Sequence, residues 1–166
     1  MSLGKTLVQG ICTLLAGIMQ CTQHQFGKGV WNVFCAWRSI KVADPTGIEF
    51  KGKERTVVRS TSLLIVGAYH LLTSMMPPKM LRVASGILGD CGDREYALAN
   101  MQSCWREDGV WACFGALVYA SFMVDTRSFL NEPLTAVEIA NVNEIMAWAK
   151  QKSPRTVFFQ FYLFTF

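Results

Sequence analysis

Three long stretches of this 166-residue chain contain no Asp, Glu, Lys or Arg. They are residues 6–27, 60–78 and 109–124, which are 22, 19 and 16 residues long. An α-helix needs about 17–25 mostly apolar residues to cross the hydrocarbon core of a bilayer, because each residue adds only about 1.5 Å. The sequence therefore predicts an all-α membrane protein with about three short transmembrane helices, at residues 6–22, 60–77 and 109–124.

Two further segments have the pattern of helices that lie at a membrane surface. Residues 30–37 place three aromatic rings at helical spacing, which suits an interfacial helix or an ordinary buried aromatic face. Residues 135–150 form an amphipathic pattern that begins with Thr135 and Glu138 at the spacing of a capping box. We therefore expect one membrane-embedded helical domain, residues 1–166, with interfacial amphipathic helices beside the spans.

Small residues recur at helical spacing in the first and third charge-free stretches. Gly10 and Gly17 are seven residues apart and share a helix face, where they allow a second helix to approach closely. In the third stretch alanine recurs at every fourth position beside a glycine, which favours backbone contact and dispersion attraction between helices. This pattern predicts a partner-facing stripe of four residues: Ala112, Gly115, Ala116 and Ala120.

The last ten residues, 157–166, contain five phenylalanines and one tyrosine. A segment this apolar tends to aggregate in water, so something has to cover it. The cover is the protein's own helices, lipid, or a groove on a partner, and we expect the partner. The predicted partner-facing residues of this tail are Phe158, Phe161 and Phe164.

His70 lies inside the second charge-free stretch, and an ionisable group within a membrane usually has a function. A neutral imidazole can ligate haem iron or chlorophyll magnesium, or hydrogen-bond a quinone. His70 is therefore the candidate cofactor-binding residue, with Tyr69 beside it. The alternative is a neutral histidine that is hydrogen-bonded to a neighbouring helix. A lipid or pigment would fit this position, but the sequence requires no cofactor.

No motif in the sequence indicates catalysis or metal binding. The six cysteines form no CxxC pair, and neither an HExxH nor a GxSxG motif occurs. The formal net charge of +4 is scattered along the chain, so nucleic acid is not an expected partner. We therefore expect a protein without catalytic residues or a metal site.

Marginal spans, a small-residue stripe and an aromatic tail together predict a non-catalytic accessory subunit of a large multi-subunit membrane complex. Its partners would be other membrane subunits and the lipid bilayer, in an energy-converting (respiratory or photosynthetic) membrane such as the mitochondrial inner membrane or the thylakoid. Eleven Lys and Arg fall on the side that includes the C-terminus and five on the other, so the positive-inside rule places the C-terminus on the inner face.

Two alternatives remain open from the residues alone. One is a small integral-membrane protein that binds a lipid, quinone, haem or pigment near His70. The other is a soluble all-helical domain with an unusually apolar core.

Overall fold

A computed structural model describes residues 3–41, 55–75, 92–152 and 156–165, together with Arg82, Gly86 and Pro154. These residues are almost entirely helical. The helices of nine residues or more within them are α1 (Leu3–Thr22), α2 (Phe26–Lys41), α3 (Arg55–Ser74), α4 (Arg94–Arg106), α5 (Ala112–Ser121), α6 (Ala136–Lys152) and α7 (Val157–Thr165). Helix α5 continues into a π-helical stretch, Phe122–Thr126, and one last α-helical turn, Arg127–Phe129.

Helices α1 and α2 form a tight antiparallel hairpin, joined by residues 23–25. Two glycines of α1 bring the helices together, as their spacing predicts. A Cβ atom at Gly17 would lie 2.9 Å from the Gly29 carbonyl oxygen, and one at Gly10 would lie 3.1 Å from the Ile40 side chain. A larger side chain at either glycine would therefore push the two helices apart.

Helices α3 and α4 form the second antiparallel pair. Gly67 allows the close approach, since a Cβ atom there would lie 3.2 Å from the Ala97 carbonyl oxygen. Helix α4 begins after Asp93, whose side chain accepts a hydrogen bond of 3.0 Å from the Tyr96 N–H and so forms its N-cap. Buried hydroxyls within α3 donate to carbonyls of the preceding turn, which satisfies them without water: they belong to Ser60, Thr61 and Thr73.

Helix α5 lies at the centre of the larger core, in contact with α3, α4, α6 and α7. Its Tyr119 is buried, and the Gln102 amide donates to the tyrosine hydroxyl oxygen at 3.3 Å. The fully buried apolar residues around it are Ala97, Met101, Ala116, Ala120, Met123, Val142, Ile145 and Ala149. A helix that is covered on several sides needs apolar residues all round, which explains why residues 109–124 carry no charge.

Helix α6 begins with the capping box that its sequence predicts. The Thr135 N–H donates to the Glu138 carboxylate at 2.7 Å, and the Glu138 N–H donates to the Thr135 hydroxyl at 3.3 Å. The aromatic tail follows as α7 and returns to the core, where Phe159 and Tyr162 are buried. The Tyr162 hydroxyl donates to the Asp125 carboxylate, which ties α7 to the π-helical stretch.

No helix in the described part of the chain is both long enough and apolar enough to cross a membrane. The three predicted spans at residues 6–22, 60–77 and 109–124 are therefore wrong, and so is the membrane fold class with interfacial helices that was built on them. The third span corresponds to a helix of only 10 residues, and the second is a helix that begins with an arginine and carries buried hydroxyls. Residues 30–37 lie within α2, where Trp37 is buried in the protein's second, smaller core.

Candidate functional site

His70 is buried near the C-terminal end of α3, where it joins this helix to the start of α4. Its Nδ1 accepts a hydrogen bond of 3.1 Å from the backbone N–H of Asp93. A ring nitrogen that accepts a hydrogen bond carries no proton, so Nδ1 is unprotonated in this arrangement. The preceding Gly92 has a φ of 68°, and a Cβ atom there would lie 2.8 Å from the Ser74 nitrogen. Glycine at this position is what lets the chain pass close enough for the His70 contact.

Three aromatic rings pack against His70. The rings of Tyr96, Tyr69 and Trp37 stand edge-on to the imidazole, with centroids 5.1, 5.4 and 5.8 Å away. The Trp37 ring also stacks on Tyr69, which connects α2 to α3. Nowhere in the described ranges do three or more His, Cys, Asp or Glu side chains come together in a group that could hold a metal ion. His70 is therefore a packing residue at the place where α2, α3 and α4 meet.

The predicted small-residue stripe lies inside the protein's own core. Its residues Ala112, Gly115, Ala116 and Ala120 are all buried. A Cβ atom at Gly115 would lie 3.0 Å from the Cys104 sulfur, so the stripe packs against α4 of the same chain. Burial, with a smaller contribution from the Glu107 charge, raises the pKa of the Cys104 thiol to about 11. This thiol is therefore protonated and unreactive at neutral pH.

Of the three predicted partner-facing residues in the tail, the structure describes the side chain of one. Phe161 is 59 % exposed, and Phe158 and Phe164 belong to α7 but their side chains lie outside the described part of the structure. The tail residues that the fold buries are Phe159 and Tyr162 instead. Burial, together with the hydrogen bond to the Asp125 carboxylate, raises the pKa of Tyr162. The tail is thus covered at least in part by its own chain.

An apolar cavity of about 340 Å³ opens between the α1–α2 hairpin and helices α3 and α5. We call it the hairpin groove. Two exposed side chains at its edge, Leu72 and Phe114, are 61 % and 53 % accessible to solvent. The lining residues are Leu14, Val33, Trp37, Ile40, Leu64, Ile65, Ala68, Tyr69, Leu72, Thr73, Phe114 and Val118.

Trp37 in the wall of the groove is 3 % exposed, and its indole N–H has no hydrogen-bond acceptor among the residues that the structure describes. A buried donor without an acceptor costs about 1–3 kcal/mol. The indole nitrogen is not accessible from the groove, whose surface is almost entirely apolar. The hairpin groove is therefore an apolar volume suited to apolar side chains.

Sequence reasoning missed Leu72 and Phe114 as groove residues and treated Trp37 only as part of an aromatic face. The sequence signal that could have pointed to the groove is the spacing of Ala68 and Leu72, which are four residues apart and so lie on one face of α3. A charge-free helix has such apolar pairs on several faces, so the spacing alone does not identify the one that lines a cavity.

Comparison with known families settles what kind of helical protein this is. A family model described as Iml2/Tetratricopeptide repeat protein 39 matches residues 20–163, which is most of the chain. The chain belongs to the Iml2/Tetratricopeptide repeat protein 39 family. No curated protein and no solved structure matches it.

Tetratricopeptide repeats are helix–turn–helix units of about 34 residues that stack so that each unit is covered by its neighbours. In this member of the Iml2/Tetratricopeptide repeat protein 39 family, the hairpin from Leu3 to Lys41 has the same helix–turn–helix form, and α3 packs against it. The family match itself begins at residue 20, near the end of α1. Stacked helices bury apolar residues against the same chain, which accounts for charge-free stretches without a bilayer.

Family membership also corrects the functional predictions. The chain is not the predicted accessory subunit of a respiratory or photosynthetic membrane complex, nor an integral-membrane protein that binds a ligand through His70. The lipid bilayer as a partner, and a position in the mitochondrial inner membrane or thylakoid with the C-terminus on the inner face, depended on the three spans. Since no described helix can form a span, these predictions are wrong as well.

Proposed function

We propose that this protein is a non-catalytic protein-binding scaffold that holds a segment of a partner protein in the hairpin groove. Membership of a tetratricopeptide repeat family supports the proposal, because stacked helical repeats form extended surfaces that such proteins use for binding. The described helices also use their own ionisable side chains mainly in caps and ion pairs, such as Glu138 with Thr135 and Arg59 with Glu107.

The observation that carries the proposal is the apolar hairpin groove with the exposed side chains of Leu72 and Phe114 at its edge. Apolar side chains of a bound segment would fill the cavity of about 340 Å³, a volume within the range of about 300–1,000 Å³ that is typical of binding sites. A peptide supplies several apolar side chains along one segment, as an apolar groove between helices requires.

The exposed edge of the groove supports the same function. Leu72 and Phe114 present large apolar surfaces to solvent. Covering such surface stabilises a complex by about 25 cal/mol per Å², before the costs of association are subtracted. Aromatic and aliphatic side chains around a desolvated pocket are the usual centre of a binding interface.

The test compares affinity purification of the full chain with that of Leu72→Glu. The matched control is Val137→Glu, which introduces the same charge at a 70 % exposed position on α6. We expect one set of proteins to co-purify with the wild type and the control but not with Leu72→Glu. A peptide derived from that partner should then bind at least tenfold more weakly to Leu72→Glu in calorimetry.

Both variants should keep the wild-type melting temperature within a few degrees, because both positions are mostly exposed. If Leu72→Glu keeps every partner that the control keeps, the hairpin groove is not the binding site.

A further inference from the structure

Charge is divided unevenly between the first three helices and the later helices of the described chain. Residues 3–41 and 55–75, which contain helices α1, α2 and α3, carry six Lys or Arg and no Asp or Glu. Residues 92–152 carry five Lys or Arg and eight Asp or Glu. The helices that form most of the hairpin groove are therefore positively charged, and the rest of the described chain is negatively charged.

Most of this positive charge lies at one end of the three helices, where α1 and α3 begin and α2 finishes. Gly10 of α1 faces Ile40 of α2, and the first turns of α1 and α3 line a common cleft, so these helix ends are neighbours. We call this region the basic end. Its residues are Lys5, Arg38, Lys41 and Arg59.

Three of these cations are available to a partner. Arg59 already pairs with the Glu107 carboxylate at 2.8 Å. Lys5, Arg38 and Lys41 are exposed, and within the described ranges none of them has an ion-pair partner. The sequence between α2 and α3 carries three acidic and two basic residues, a net charge of only −1. A carboxylate that approaches the basic end therefore meets cations that are not yet neutralised.

A second cleft, of about 700 Å³, lies between α1 and α3 at the basic end. Lys5 lines it beside the exposed apolar side chains of Val8 and Val57. One face of α3 lines both this cleft and the hairpin groove, because residues three or four apart share a face. The residues of that face are Val58, Thr61, Ile65, Ala68 and Leu72. A single bound segment that follows α3 would reach both openings.

We propose that the partner segment is amphipathic and acidic, with apolar side chains in the hairpin groove and the second cleft and Asp or Glu side chains facing the basic end. This inference rests on the proposed function and adds the chemistry of the partner to it. Clefts between helices accept side chains of a peptide, whereas a bilayer presents a broad surface to an amphipathic face. The apolar lining likewise disfavours nucleic acid, whose phosphates need cations along the whole contact.

The test selects a displayed library of random 16-residue peptides on the full-length wild type, on Lys5→Glu and on Lys28→Glu. The last variant makes the same change in charge near the start of α2, at the opposite end of the hairpin. We expect peptides selected by the wild type and by Lys28→Glu to be rich in Asp or Glu beside an apolar core. A selected peptide should bind Lys5→Glu about threefold to tenfold more weakly at low salt, and the difference should shrink at high salt.

Each negative result of this selection would contradict a different part of the proposal. Selected peptides without an acidic excess, or with equal affinity for Lys5→Glu and Lys28→Glu, would overturn the charge inference and leave the groove as a peptide site. No enrichment of any peptide would overturn the proposed function as well. In that case, binding to vesicles of phosphatidylcholine with phosphatidylserine, weakened by Lys5→Glu, would assign the basic end to a membrane surface instead.

Discussion

Replacing Gly17 by alanine is expected to destabilise the α1–α2 hairpin by about 1 kcal/mol. The new Cβ atom would lie 2.9 Å from the Gly29 carbonyl oxygen and 3.0 Å from the Val33 nitrogen. These are backbone atoms, which cannot rotate away, so the helices have to separate. Overpacking of this kind costs about 1–3 kcal/mol, whereas alanine gains only about 0.5–1 kcal/mol over glycine within a helix.

The assay is thermal unfolding together with hydrogen exchange followed by mass spectrometry. A loss of about 1 kcal/mol should lower the melting temperature by about 2–4 °C in a protein of this size. Loss of amide protection should be concentrated in α1 and α2, because helical repeats mainly contact their neighbours. Gly27→Ala is the matched control, since a Cβ atom at Gly27 would meet nothing within 4 Å.

We expect the Gly27→Ala control to be as stable as the wild type or slightly more so. If Gly17→Ala were equally stable, the two helices would not be held at the close distance from which the cost was calculated. Uniform loss of protection over α1 to α6 would refute the expectation that the hairpin can weaken by itself.

Three further predictions concern single residues. Burial favours a higher pKa for Glu138, but hydrogen bonds from Thr135 and the nearby arginine charge outweigh it, so the pKa lies below its ordinary value of 4.5. This carboxylate contributes stability above about pH 4.5, and that stability is lost as the pH falls through its folded-state pKa. The free energy of unfolding in urea should therefore decline less steeply below pH 4.5 in Glu138→Gln than in the wild type. An unchanged slope would contradict this. The exposed Cys12 thiol should react with a thiol reagent in the native protein, while Cys104 should react only after unfolding, because burial raises its pKa to about 11; equal rates in a mass-spectrometric time course would show that α4 opens readily. Gly92→Ala should cost about 2–3 kcal/mol in urea unfolding, since it combines a φ of 68° with a backbone contact at 2.8 Å, and a wild-type midpoint would mean that the α3–α4 connection relaxes freely.

Local features of this fold could be predicted from the sequence because they depend on residues close together in the chain. Asp93 as the N-cap of α4 and the Thr135–Glu138 capping box are both present, and each needs only a side chain within one turn of a helix start. The glycine face of α1 also meets a second helix, as its seven-residue spacing predicts.

The environment of the helices could not be predicted in the same way. A charge-free stretch shows that its surroundings are apolar, but lipid and the interior of a stacked helical repeat give the same pattern. Residues 109–124 carry no charge because α5 is covered by four other helices. The same uncertainty affected His70, since only the fold reveals that the Asp93 N–H is within 3.1 Å of its ring.

The amino-acid sequence is enough to show that the chain is helical, where several of its helices begin, and which small residues permit close helix contact. These properties follow from propensity, capping and spacing, which act over one or two turns. Which helix faces are covered by the same chain and which stay open depends on how the helices pack in three dimensions. This packing places Trp37, Leu72 and Phe114, from three separate helices, around one groove. The reason is physical: a cavity between helices depends on residues far apart in sequence, and no local pattern records their distance.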